Sequence, residues 1–172
     1  MKKALIITGK YVQDPEFIFP YYRFQEEGYE VVVATEDGKE TFGVWGTKVP
    51  GDVRIDQLCD DDYEVLILPG GARALEYIRQ NKSALDFIRA WDKKGGVIAC
   101  ICHGAQLLIS ASVVKGRNIS GYYSIKDDII NAGGKFVDAP FVTDRNIITS
   151  PHYKYMGSWM HEVMRVLHTQ NR

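Results

Sequence analysis

Cysteine is scarce, with three residues in a chain of 172. No two are spaced as C-x-x-C, and Cys100 and Cys102 lie two apart, so on a strand their side chains point to opposite faces. That spacing argues against a disulfide or a metal chelate built on the pair. The low count fits a reducing compartment, where thiols are inert or catalytic. Excess charge is also missing: 21 basic side chains face 22 acidic ones, for a formal net charge of -1. No basic footprint for nucleic acid or an anionic surface is present. Long apolar runs are absent as well. The first apolar run covers residues 4–7, too short for a signal-peptide core, and nothing approaches the ~20 apolar residues of a membrane span. The expectation is a cytoplasmic protein with neither a nucleic-acid nor a membrane partner. Repeats, low-complexity tracts and linkers are absent too, so residues 1–172 are read as one domain.

What is present is a globular mixture, 45% hydrophobic and 25% charged. Short runs of Val, Ile and Leu alternate with helical stretches. Strands are expected at 3–8, 30–34, 63–68 and 96–101. Helices are expected at 15–27 (with Asp14 as N-cap and Gly28 as stop), 73–79, 83–93 and 103–112, with an amphipathic helix at 153–169. Residues 35–56 read as a β-excursion or hairpin. Short strands at 136–137, 141–142 and 147–148 follow a turn at Ala132-Gly133-Gly134. Continuous apolar strands alternating with helices imply an α/β fold with a mostly parallel sheet, covered by helices on both faces. Ligands of such sheets bind outside the carboxyl ends of the strands. Those ends carry Gly9, Pro69-Gly70-Gly71 and Cys102-His103-Gly104.

Cys102 is the candidate nucleophile. A buried strand ends there and a helix begins directly after, the strand–nucleophile–helix turn of α/β hydrolases with Cys in place of Ser. A helix start offers free N–H groups and a positive dipole end, which lower a thiol pKa. His103, next in sequence, is a base, an orienting group or a cap. Cys100 is read as a buried structural thiol. So is Cys59, whose acidic neighbours would raise its pKa. His152, His161 and His168 lack further ligands at metal-binding spacing, and no metal or cofactor is expected. Tyr153, Trp159 and Met160 read as core or interface residues.

The segment Ala99-Cys100-Ile101-Cys102-His103-Gly104-Ala105-Gln106-Leu107-Leu108 resembles the nucleophile segment of the ThiJ/PfpI superfamily, in particular its PfpI-type members. The resemblance extends to residues 14–21, to Leu68-Pro69-Gly70-Gly71, and to residues 113–117 and 125–133. It implies a flavodoxin-like three-layer sandwich with the nucleophile at a strand-to-helix turn. It implies catalytic roles for Cys102, His103, Glu16 and Glu76, with Glu16 hydrogen-bonding the reactive Cys and Glu76 reaching His103 of a neighbouring subunit. Backbone N–H groups of Gly71 and His103 would form an oxyanion hole, and Gly70 and Tyr122 would contact substrate.

The chain departs from that pattern in places. Gln13 stands where PfpI-type members usually carry a Glu, the stretch after Gly71 is one residue longer, and Val44 and Thr47 replace Lys and Tyr of some relatives. Trp45 becomes a candidate pocket-lining residue. Three functions are compatible with one reactive thiol. The first is a Cys-dependent enzyme acting on small reactive carbonyls, of glyoxalase III or deglycase type. The second is a cysteine peptidase with a Cys102–His103–Glu76 triad completed at a subunit interface. The third is a redox sensor that oxidises at Cys102. The partners implied are an aldehyde or peptide substrate and further copies of the chain, as a homodimer or higher oligomer.

Overall fold

The computed structural model describes residues 2–60 and 63–170. In chain order, β1 (Lys3–Ile7) leads to α1 (Asp14–Glu26) and β2 (Glu30–Thr35). The pairs β3 (Thr41–Phe42) and β4 (Lys48–Val49) form a small antiparallel hairpin, and β5 (Val53–Arg54) returns to the edge of the main sheet. Next come β6 (Val65–Leu68), α2 (Ala72–Ile78), α3 (Lys82–Lys93), β7 (Val97–Ile101) and α4 (Ala105–Ser110). The chain continues through β8 (Asn118–Ile119), α5 (Lys126–Asn131), β9 (Lys135–Phe136), β10 (Val142–Asp144), β11 (Ile147–Ser150) and α6 (Met156–Gln170).

Seven strands form the main sheet in the order β10-β11-β7-β6-β1-β2-β5. All neighbours pair in parallel except β10 with β11. The crossovers β1–α1–β2 and β6–α3–β7 run in opposite directions along the sheet. Since such crossovers are right-handed, α1 and α3 cover opposite faces. Helix α6 packs on α1 and β11, and α3 packs on β7 and α4. The result is a flavodoxin-like sandwich. Its direction of winding reverses between β1 and β6, which opens a crevice at the carboxyl ends of the strands.

The central strands are buried on both faces, which explains their unbroken Val, Ile and Leu composition. Trp91 and Trp159 close the core from the two helical layers, donating their indole N–H groups to Val97 O and Ile148 O. A buried polar brace ties the loop before β8 to the sheet. Arg117 grips both carboxylate oxygens of Asp92 at 2.8 and 3.0 Å, and Asn146 bridges Arg117, Asp92 and Gly96 O.

Several expectations are corrected. Asp14 is the first residue of α1, not its N-cap. The cap is Gln13, whose side chain makes no capping bond. The helix expected at 103–112 begins as a 3-10 turn (Cys102–Gly104) before α4, and Cys102 at its start adopts a left-handed φ of +60°. The strand expected at 136–137 is β9, and its parallel partner β8 was not anticipated. The helix expected at 153–169 likewise opens with a 3-10 turn, Tyr153–Tyr155. Cys59 is exposed rather than buried, since the 3-10 turn before it turns Ile55 inward instead.

Candidate active site

Three carboxyl ends of the sheet converge on Cys102. The thiol is 6% exposed and sits at the end of β7 in the strained left-handed region. A non-glycine residue held there costs about 1–3 kcal/mol and persists where its surroundings enforce it. Here the backbone on either side enforces it: Cys102 O accepts the Tyr122 N–H, and the Gly70 backbone lies directly against the Cys102 Cβ. A Cβ on Gly70 would come within 2.8 Å of the Cys102 Cβ and 2.9 Å of His103 N. Gly71 has φ +103°, and a Cβ there would lie 2.6 Å from Gln13 N. The glycine pair after β6 is therefore set by two close backbone approaches.

Glu16 on α1 is fully buried. Its Oε2 accepts the Gly70 N–H at 2.7 Å, while among the described residues Oε1 has no hydrogen-bond partner. Burial pushes this carboxyl up to about 8, against smaller opposing pulls from the Gly70 N–H and the Cys102 side chain. At neutral pH Glu16 is mostly protonated, and the bare Oε1 is the oxygen free to carry that proton. Burial also pushes the Cys102 thiol well above the ordinary range, and the Glu16 charge pushes it the same way. The backbone N–H groups of His103 and Gly71 pull it down. The sequence implies a thiol lowered by a helix start, but burial outweighs that effect. Glu16 and Cys102 titrate as a coupled pair of buried acids.

His103 Nδ1 lies 3.4 Å from Cys102 Sγ, so sequence neighbours meet side chain to side chain at this turn. The other ring nitrogen, Nε2, lies 3.4 Å from Ser124 Oγ. Burial keeps the imidazole below its ordinary pKa, hence neutral at pH 7. Its ring packs 4.7 Å from Tyr122, which stacks in turn on His152 at 6.0 Å. His152 packs on Tyr153 at 4.2 Å, and Tyr153 meets Trp45 edge-on at 6.3 Å. Gln13, Glu16, Gly71, Cys102, His103, Tyr122, His152 and Tyr153 line one pocket of about 240 Å³.

Of the residues expected at the site, Cys102, His103, Glu16, Gly71 and Tyr122 meet in this pocket. Gly70 stands behind it as the amide that holds Glu16. Trp45 is 64% exposed and touches the rim through Tyr153 rather than lining the pocket. Glu76 lies on the exposed face of α2, and among the described residues no hydrogen bond joins it to His103. Sequence reasoning missed His152 and Tyr153, which line the pocket from the turn after β11, and Ser124, whose Oγ lies 3.4 Å from His103 Nε2. Asp14 was missed as well: it accepts the N–H groups of Trp45 and Thr47 at 2.9 Å each and thereby fixes the 43–47 turn. Its spacing of 31 and 33 residues from those partners leaves no local signal. Among the described residues no group of three or more His, Cys, Asp or Glu could hold a metal, and no helix is long and apolar enough to cross a membrane.

A mostly parallel sheet covered on both faces, with a strained cysteine at its carboxyl edge, defines an α/β protein of the flavodoxin-like class. Residues 2–166 match the DJ-1/PfpI family, and the chain belongs to it. It is 39% identical over 165 residues to "Deglycase PfpI" of Pyrococcus furiosus, across 96% of this chain and 99% of that one. It is 37% identical over 150 residues to "Putative cysteine protease YraA" of Bacillus subtilis, across 87% of this chain and 88% of that one. Among solved structures, a two-domain protein of Anabaena variabilis with DJ-1/ThiJ/PfpI-like and ferritin-like domains superposes with a TM-score of 0.93 at 28% identity. That match takes in 97% of this chain and 48% of the two-domain chain.

Proposed function

We propose that the protein is a cysteine-dependent, deglycase-type enzyme that acts on small reactive carbonyls through a thiohemiacetal on Cys102. The observation that carries this reading is the buried Cys102–Glu16 pair beside two backbone N–H groups, in a pocket sized for a small molecule. That volume falls below the ~300–1,000 Å³ of sites for drug-sized ligands. The relative named a deglycase supports the same class.

The pair holds two protons at neutral pH. One passes to neutral His103, whose Nδ1 lies 3.4 Å from the sulfur, and with the other on Glu16 the thiolate attacks the aldehyde carbon. The carbonyl electron pair moves to oxygen, which the Gly71 and His103 amides stabilise and which then takes a proton. With an α-oxoaldehyde, a proton leaves C1 of the adduct as the C2 oxygen takes one, giving an enediol; C2 then takes a proton as the C1 hydroxyl gives up its own. His103 and Glu16 are the groups in reach to carry these protons. A thioester of a 2-hydroxy acid results, and water cleaves it to release the acid and the thiol. The net change is one water added, with C1 oxidised as C2 is reduced, so no external oxidant enters.

A peptidase is the second reading. It is favoured by the 3.4 Å contact of Cys102 with His103 and by the relative named a putative cysteine protease. It requires Glu76 of another copy to reach His103, and hence a homo-oligomer. A sensor that oxidises at Cys102 is the third. All three readings take residues 1–172 as one domain working in the cytoplasm. A turnover panel of methylglyoxal and fluorogenic peptides decides among them, run on wild type and Cys102→Ala. Lactate production lost in Cys102→Ala supports the proposal. Peptide cleavage alone supports the peptidase. Unchanged lactate production in Cys102→Ala removes the thiol from the mechanism.

A further inference from the structure

His152 enters the pocket from the turn after β11, independently of the segment that carries Cys102. Its ring packs against Tyr122 at 27° between planes and against Tyr153 at 4.2 Å. Its Nδ1 accepts the Lys154 N–H at 3.0 Å and caps the 3-10 turn Tyr153–Tyr155. An imidazole whose Nδ1 accepts carries its proton on Nε2 when neutral. Desolvation, with a smaller push from Lys154, keeps His152 below its ordinary pKa and so neutral at pH 7. Among the described residues Nε2 has no hydrogen-bond partner. The pocket thus holds two separate sets of donors: the Gly71 and His103 amides at Cys102 Sγ, and the His152 Nε2–H. Gly71, Cys102, His103 and His152 line the same pocket of about 240 Å³.

We propose that His152 is a specificity-determining residue whose Nε2–H binds the second oxygen of a substrate bearing oxygen on the carbon beside the reacting carbonyl. The first oxygen then lies against the Gly71 and His103 amides. The inference rests on the carbonyl reading of the site, and it predicts that His152 separates α-oxoaldehydes from plain aldehydes of the same size.

The test measures how methylglyoxal and propanal each protect Cys102 from methyl methanethiosulfonate, a thiol reagent without a carbonyl. Blocking of Cys102 is followed by peptide mass spectrometry, so that the exposed Cys59 does not contribute. His152→Phe keeps a ring for Tyr122 and Tyr153 but has no donor, whereas His152→Gln keeps an amide N–H. Loss of one neutral hydrogen bond should weaken methylglyoxal protection about three- to tenfold in His152→Phe. Propanal protection should change less than twofold, and His152→Gln should recover most of the difference. Equal weakening for both aldehydes, no change for either, or a loss in His152→Gln as large as in His152→Phe overturns the proposal. Protection is read without turnover. A wild-type protein that protects selectively yet makes no lactate overturns the enzymatic reading and leaves the His152 inference standing.

Discussion

Asp14 and Glu16, two residues apart on the first turn of α1, are both buried carboxyls whose pKa values move in opposite directions. Asp14 is 1% exposed and Glu16 is 0% exposed. Burial pushes both up, but for Asp14 the Thr47 hydroxyl and the Trp45 and Thr47 N–H groups outweigh it and leave the carboxyl lowered. Glu16 has the Gly70 N–H and a bare second oxygen, so burial wins. Hydrogen bonds received and a shallower position together assign Asp14 to structure, and deep burial with fewer donors leaves Glu16 to hold a proton beside Cys102.

Stability should fall with rising pH because of Glu16. Its folded value of about 8 lies above its unfolded value of 4.5, so the native state holds the proton more tightly. Between those two values the unfolded state binds fewer protons, and each pH unit removes up to ~1.4 kcal/mol. Glu16→Gln cannot ionise and should lose that slope. Urea denaturation at pH 5 and pH 8 should show the variant gaining on wild type by a few kcal/mol at the higher pH. Parallel curves for the two proteins would show that burial does not raise this carboxyl.

Asp14 has the opposite sign. Its lowered value means that its contribution is present above the unfolded value near 3.8 and is lost as pH falls through the folded one. Asp14→Ala leaves the Trp45 and Thr47 amides without their acceptor and should cost about 1–3 kcal/mol at pH 7. Trp91 and Trp159 are buried while Trp45 is exposed, so fluorescence reports on the loop. Acrylamide quenching of Trp45 should increase in the variant as the 43–47 turn loosens.

Ser124 gives His103 Nε2 a partner within the same chain. Ser124→Ala should lower kcat about three- to tenfold, the weight of one neutral hydrogen bond, with little change in KM. Ser124 is exposed on a surface turn, so unfolding free energy should shift by less than ~0.5 kcal/mol. A loss confined to stability would make Ser124 a loop residue only.

The sequence makes the sheet legible because burial on both faces writes itself as unbroken runs, such as Leu5-Ile6-Ile7 and Val65-Leu66-Ile67-Leu68. Cys102 was legible because the nucleophile, its turn and the following helix are contiguous. The far wall of the pocket was not. His152 in that wall, and Ser124 against the His103 ring, come from loops far apart in sequence, and each looks unremarkable in its own stretch. Cys59 shows the converse. Its type suggests burial, yet Ile55 four residues earlier takes the inward position and leaves the thiol outside.

The central claim is that Cys102 shares its reactive proton with Glu16. The direct measurement is the pH profile of Cys102 alkylation by iodoacetamide, read by peptide mass spectrometry in wild type and Glu16→Gln. The account predicts a wild-type profile with a step where Glu16 titrates, at about 8. That step should be missing in Glu16→Gln, where the thiol titrates alone. Superimposable profiles for the two proteins would contradict a shared proton and leave Glu16 a structural support for Gly70.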